Sequence, residues 1–152
     1  EYYSRKSLDF GNARMYLLDD TTNSTYDSFD TNNKSGIFKV VHGKNSILFV
    51  GDAGKRAEKL LIQAYGKFLD VDILKVGHHG SKTSSSEEFI EYVKPEIAMI
   101  NVGLGNNFKH PSKVIIDRFN ERNIETERTD IEGAIVYRSD GKKLTKINWK
   151  DY

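Results

Sequence analysis

Cysteine is absent from the 152 residues, which excludes disulfides and thiolate metal sites without deciding between cytosol and exterior. No apolar run approaches the roughly 18 residues of a membrane span, and no signal peptide is visible in these residues. A charge excess is missing too: 23 Lys and Arg against 22 Asp and Glu leave a formal net charge of +1. The chain as a whole therefore carries no electrostatic footprint for nucleic acid, although a local basic patch is compatible with that balance. Internal repeats and low-complexity segments are lacking. The length suits one domain, residues 1–152, with a real hydrophobic core. It opens at Glu1 rather than methionine, which reads as a processed product or as a fragment of a longer protein.

What is there begins with Met15 to Leu18, a short apolar run of strand length. Asp19 to Lys34 is rich in Asp, Thr, Asn and Ser and reads as a long surface loop, either functional or a surface excursion. Gly36–Val41 and Ser46–Val50 flank a Gly- and Asn-containing link and predict an antiparallel hairpin. The second run has no polar alternation, as expected for a strand buried on both faces. It stops at Gly51-Asp52, and Asp52 is then either a cap for the next helix or a ligand to something positive. Ala57, Leu60, Leu61, Ala64 and Phe68 share one face of that helix, with Lys and Glu opposite.

Val71 to Ser86, VDILKVGHHGSKTSSS, is the chemistry-bearing stretch: a strand runs straight into paired histidines between glycines, then a hydroxyl cluster. Ser84 and Ser85 stand three residues before Glu87 and Glu88, predicting a capping box for a second helix that Pro95 closes. Ile97–Ile100 reads as a buried strand leading into a Gly- and Asn-rich turn. Pro111 suits the first turn of a third helix with Val114, Ile115, Arg118 and Phe119 on or near its inner face. Three strand-like runs follow, the last two joined around Ser139-Asp140-Gly141 as a hairpin. Asp30, Lys34 and the tail lysines read as a solvated face. The pattern is mixed α/β, a sheet covered by three helices.

Asp52, His78-His79 and the Asn106–His110 turn all fall at strand ends, where ligands bind in α/β sheets. Carboxylate and imidazole without thiolate suit Zn, Mn or Fe. Two such ions a few ångströms apart can generate a hydroxide and clamp both oxygens of a phosphoryl group.

ILFVGDAGKRAEKLL, LKVGHHGS, Asn106 to Pro111 and Thr129 to Gly133 together resemble the carboxyl half of the ComEC-type metallo-β-lactamase-fold domain, the hydrolase-like part of competence proteins that bring DNA into bacteria. The resemblance runs from about Asn32 to Gly141. It implies a partial metallo-β-lactamase fold, the carboxyl half of an αββα sandwich, with a dinuclear Zn or Mn site at the ends of the inner strands. In that pattern Asp52 is the bridging ligand, His79 a metal ligand, and His78 faces the substrate. Ser81, Lys82, Thr83, Ser84, Asn106 and His110 take substrate-side or supporting roles. Hydroxyls, an ammonium and helix amides would cradle a phosphate, or, for Ser84 and Ser85, simply cap a helix. Thr129 and Asp130 either line the cleft or make a turn.

The fold's H-x-H-x-D-H motif is absent from these residues, and His42 sits in a hairpin turn with no partner at the needed spacing. The expected function is a metal-dependent hydrolase cleaving phosphodiesters, with single-stranded DNA a candidate substrate, completed by an amino-terminal half of the fold and incomplete in this fragment. The alternatives are a small-phosphoester or lactone hydrolase of the same fold, and a non-catalytic binding domain. A bacterial protein on the extracellular face or secreted is implied if the likeness to ComEC extends that far, and a cytoplasmic one otherwise.

Overall fold

A computed structural model describes residues 7–18 and 30–151. Seven strands form one sheet in sequence order: β1 (Ser7–Phe10), β2 (Ala13–Leu17), β3 (Phe38–His42), β4 (Asn45–Phe49), β5 (Ile73–Lys75), β6 (Ile97–Ile100) and β7 (Glu125–Arg128). The first four make an antiparallel meander, and β4 to β7 run parallel. Parallel neighbours need long crossovers, supplied by α1 (Lys55–Tyr65), α2 (Glu87–Val93) and α3 (Lys113–Asn120). A one-turn helix, α4 (Thr129–Glu132), follows β7, so there are four helices among the described residues rather than three. Strands β8 (Val136–Ser139) and β9 (Leu144–Ile147) pair separately as the hairpin the sequence predicts.

The two faces of the main sheet differ. Lys39, Leu48, Leu74 and Ala98 are register partners on one face, and the last three are fully buried in a core shared with Leu61, Phe89, Ile90, Ile115 and Phe119. Lys39 survives there because its ammonium donates to the carbonyls of Phe68 and Asp70, at 2.8 and 2.7 Å, beyond the end of α1. Burial lowers its pKa. The opposite face carries the row Phe38, Phe49, Lys75, Met99 and Glu127. The first four are half-buried, with the Phe38 and Phe49 rings stacked at 4.8 Å. Part of this face is crossed by β8–β9, which is tied down by His42 Nδ1 to Ser139 Oγ (2.9 Å), by Lys44 N donating to Gly141 O (2.7 Å) and by Tyr137 OH donating to Glu127 Oε1 (2.6 Å).

Several sequence expectations shift. Strand β1 was hidden by its exposure, since an edge strand with little to bury shows little periodicity. Helix α1 ends at Tyr65 because Gly66 turns to φ +48, and Phe68 lies in a separate 3-10 turn, Gly66–Leu69. Its buried side is Ala57, Glu58, Leu61 and Ile62, with Ala64 exposed. The cap of α2 is Ser86, whose hydroxyl accepts from Phe89 N, and neither Ser84 nor Ser85. Val114 is exposed and Pro111 precedes the Ser112 cap of α3. Of the expected Asp19–Lys34 loop, residues 19–29 lie outside the described residues. The rest forms a 3-10 turn, Asn32–Lys34, with Asn33 buried.

Candidate functional site

The carboxyl ends of β4, β5 and β6 meet at one edge of the sheet. Leaving β4, the chain turns at Gly51 (φ +54), where a Cβ would stand 2.6 Å from the Ser35 side chain. Only glycine fits such a turn without strain. Asp52 N then donates to Ser35 Oγ at 2.9 Å. Asp52 is not the helix cap, because Gly54 occupies that position and Asn33 Oδ1 accepts from Gly54 N and Ala57 N instead. The carboxylate is left to face His79, with Oδ1 3.5 Å from Nε2.

His79 lies in the 3-10 turn Gly77–Gly80 that ends β5, where both histidines are left-handed, at φ 48 and 55. Such backbone costs roughly 1–2 kcal/mol per non-glycine residue and gathers at functional sites. The flanking glycines are needed for contact: a Cβ would come within 3.0 Å of Ala53 O at Gly77 and within 2.6 Å of Pro111 Cβ at Gly80. His79 Nδ1 lies 2.6 Å from Asn101 O. A carbonyl only accepts, so Nδ1 carries a proton and Nε2 is the ring nitrogen left facing Asp52. Metal-binding histidines are oriented in this way.

The donor set bears on a metal directly. Two donors on one tetrahedral zinc, each at about 2.1 Å, stand about 3.4 Å apart, and the Asp52–His79 separation matches that. The pair fits as two ligands of one ion. Among the described residues no third His, Cys, Asp or Glu joins them, so they fit as part of a set and not as a whole one.

His78 points along the same edge. Its Nδ1 is 3.4 Å from Thr83 Oγ1, which is itself 2.9 Å from Ser81 Oγ. Its ring meets His110 edge-on at 6.0 Å. His110 Nδ1 is buried with no hydrogen-bond partner. Burial first, then the neighbouring His78 and His79, lower the His110 pKa and favour its neutral form. Lys82 is exposed between Ser81 and Thr83. Two expected substrate residues are turned elsewhere. Ser84 is fully buried and its hydroxyl donates to Gly77 O and Ser81 O, at 2.8 and 3.0 Å. Asn106 spends its amide on the loop, donating to His110 O (2.7 Å) and Gly103 O (3.1 Å) and accepting from His110 N (2.9 Å). Thr129 Oγ1 accepts from Val102 N at 2.8 Å, and Asp130 pairs with Arg128 at 2.7 Å, so both hold the ends of β6 and β7.

Three contributors escaped sequence reasoning. Lys75, half-buried, donates to Gly51 O at 3.2 Å beside Asp52; burial lowers its pKa and Asp52 opposes that. Its signal was a charge at the end of an apolar strand. Glu58, buried in α1, accepts from the amides of Ser85 and Ser86 and so anchors the turn after the histidines. Burial raises its pKa despite those donors. Asn101 acts through its carbonyl, which leaves no mark in a sequence.

Residues 19–103 match the metallo-beta-lactamase superfamily. The chain is 38% identical over 110 residues to competence protein ComA of Neisseria gonorrhoeae, covering 72% of this chain and 16% of that protein. It is 38% identical over 104 residues to recombination protein 2 of Haemophilus influenzae, covering 68% and 13%. With ComE operon protein 3 of Bacillus subtilis it shares 36% over 112 residues, covering 74% and 14%. The chain thus spans about a sixth or less of these relatives. Among solved structures it is similar to the CmlA beta-hydroxylase E377D mutant, with a TM-score of 0.53 and 13% identity over 81% of this chain and 31% of that one, a likeness of fold alone. The sheet, the strand-end turns and these matches together place the chain in the metallo-β-lactamase superfamily, with the ComEC-type competence proteins as its relatives.

Proposed function

We propose that these residues form the carboxyl half of a metal-dependent phosphodiester hydrolase acting on DNA strands, completed by a segment bearing the H-x-H-x-D-H ligands. The observation that carries the reading is the Asp52–His79 pair, 3.5 Å apart, with the histidine proton fixed on Nδ1 by Asn101 O. The half-exposed apolar face of the sheet supports it, because a second sheet packs on such a face in a sandwich. Zinc is the metal the superfamily generally uses; when bound it polarises phosphoryl oxygen and lowers the pKa of water. Asp52 and His79 would hold it. Lys75 steadies the Gly51–Asp52 turn, so the carboxylate is positioned before substrate arrives. His110, whose pKa burial lowers toward the neutral form, would take or give a proton at the departing oxygen. His78 and Thr83 offer hydrogen bonds to non-reacting phosphate oxygens, and exposed Lys82 a positive charge.

The test is hydrolysis of a single-stranded oligonucleotide by the full-length gene product, stripped of metal and then supplied with Zn or Mn. Metal-dependent cleavage that falls by roughly a hundredfold or more in Asp52→Ala and His79→Ala is expected for lost ligands. Full activity in both folded variants contradicts the assignment. Turnover of a small phosphoester or a lactone with no action on DNA favours the other hydrolase readings. Failure to bind metal favours a non-catalytic domain, a reading that draws on the two-donor site.

A further inference from the structure

Large apolar side chains in a turn beside the candidate site are unusual when they stay almost wholly exposed. Residues 103–109, between β6 and α3, carry two: Leu104, 85% exposed, and Phe108, 81% exposed. Isolated exposed apolar residues are common, so exposure alone decides little. The geometry of Phe108 adds more. Its ring lies almost parallel to that of His110, 20° between planes and 5.9 Å between centroids, and His110 in turn meets His78. The three rings form a row that starts beside the Asp52–His79 pair and ends in solvent. Asn106 holds the row in place by bracketing His110 through both its backbone N–H and carbonyl. The outer face of Phe108 is a flat, uncovered π surface, with the exposed ammonium of Lys109 next to it in sequence.

We propose that Phe108 is a stacking platform for an unpaired base of a single-stranded DNA, placed so that the adjoining phosphate reaches the His78–His79 edge. The inference rests on the phosphodiester reading and narrows it, since a base inside a duplex already has both faces stacked on its neighbours. A base stacks on an aromatic side chain whatever its identity, and an adjacent cation favours the phosphate beside it. Phe108 determines which strand form binds and has no part in bond cleavage.

The experiment measures binding without turnover. The full-length protein, held in chelator, is titrated into fluorescein-labelled oligothymidylate, an abasic oligonucleotide of equal length, and a duplex. Phe108→Ala is expected to weaken oligothymidylate binding roughly tenfold, the loss of one stacked base, and to leave the abasic strand and the duplex unchanged. Phe108→Trp restores binding, whereas Phe108→Leu, apolar but without a π face, does not. Unchanged oligothymidylate affinity in Phe108→Ala, or equal losses on the thymidylate and abasic strands, overturns the platform and leaves the hydrolase reading standing. No binding of any oligonucleotide by the unsubstituted protein overturns both.

Discussion

The main sheet has one face closed under helices and one face only partly covered, by β8–β9, and the candidate site lies at the edge where its parallel strands end. On the closed face Leu48, Leu74 and Ala98 disappear under α1, α2 and α3. On the open face Phe38, Val40, Ile47, Phe49 and Met99 remain half-exposed. The residues that build the closed face also deliver the turns after β4 and β5, so Asp52 and His79 are positioned by a finished core. The donors that would complete their set are not among the described residues. On the proposed reading this half of a sandwich presents a pre-arranged carboxylate–imidazole pair, and the part of the apolar face that β8–β9 leaves uncovered is the physical reason to propose more protein against it.

The largest test of that contrast is truncation on each face. Phe89→Ala, at 0% exposure, should cost about 3–5 kcal/mol, while Phe38→Ala on the open face should cost about 1 kcal/mol in this chain. Urea unfolding measures both, and equal costs would break the comparison. Next, Glu58→Ala strands the Ser85 and Ser86 amides and should cost about 3 kcal/mol, separating an anchor of the histidine turn from the ligands themselves. Glu58→Gln tests its charge. Because the folded protein raises this pKa above the ordinary 4.5, the group binds its proton more tightly folded than unfolded. The stabilisation this gives is complete below pH 4.5 and is lost as pH rises through the folded value. Relative to the glutamine variant, the native protein should therefore lose stability over that interval. The smallest effect is the sharpest on the open face: Val40→Thr should cost less than about 1 kcal/mol here but about 1–3 kcal/mol in the full-length protein, where its hydroxyl would be buried. The same small cost in both would leave the open face without a cover.

The elements on the closed face were readable because β4, β5 and β6 are mostly apolar and because Gly, Asp and His interrupt them abruptly, although Ile47, Phe49 and Met99 are only half-buried where the sequence suggests burial on both faces. The paired histidines between glycines marked the candidate site for the same reason. What the sequence hid was orientation. Ser84 looks like a cap or a phosphate ligand, and only its depth shows that its hydroxyl closes Gly77 and Ser81. Asn106 resembles a substrate residue, yet its side chain matches the loop's own backbone. Glu58 falls among charged residues of α1, and its burial depends on partners 27 and 28 residues away. Side-chain-to-backbone bonds across such distances have no local signature.

On the proposed function, Asp52 and His79 take one metal ion between them. Nitrogen-15 NMR of the histidine rings during zinc titration of this chain tests it most directly. The His79 Nε2 resonance is expected to shift while the proton on Nδ1 is retained, and Asp52→Asn to remove the shift. Zinc shifting other histidines with His79 unmoved, or an unaltered His79 response in Asp52→Asn, would contradict it.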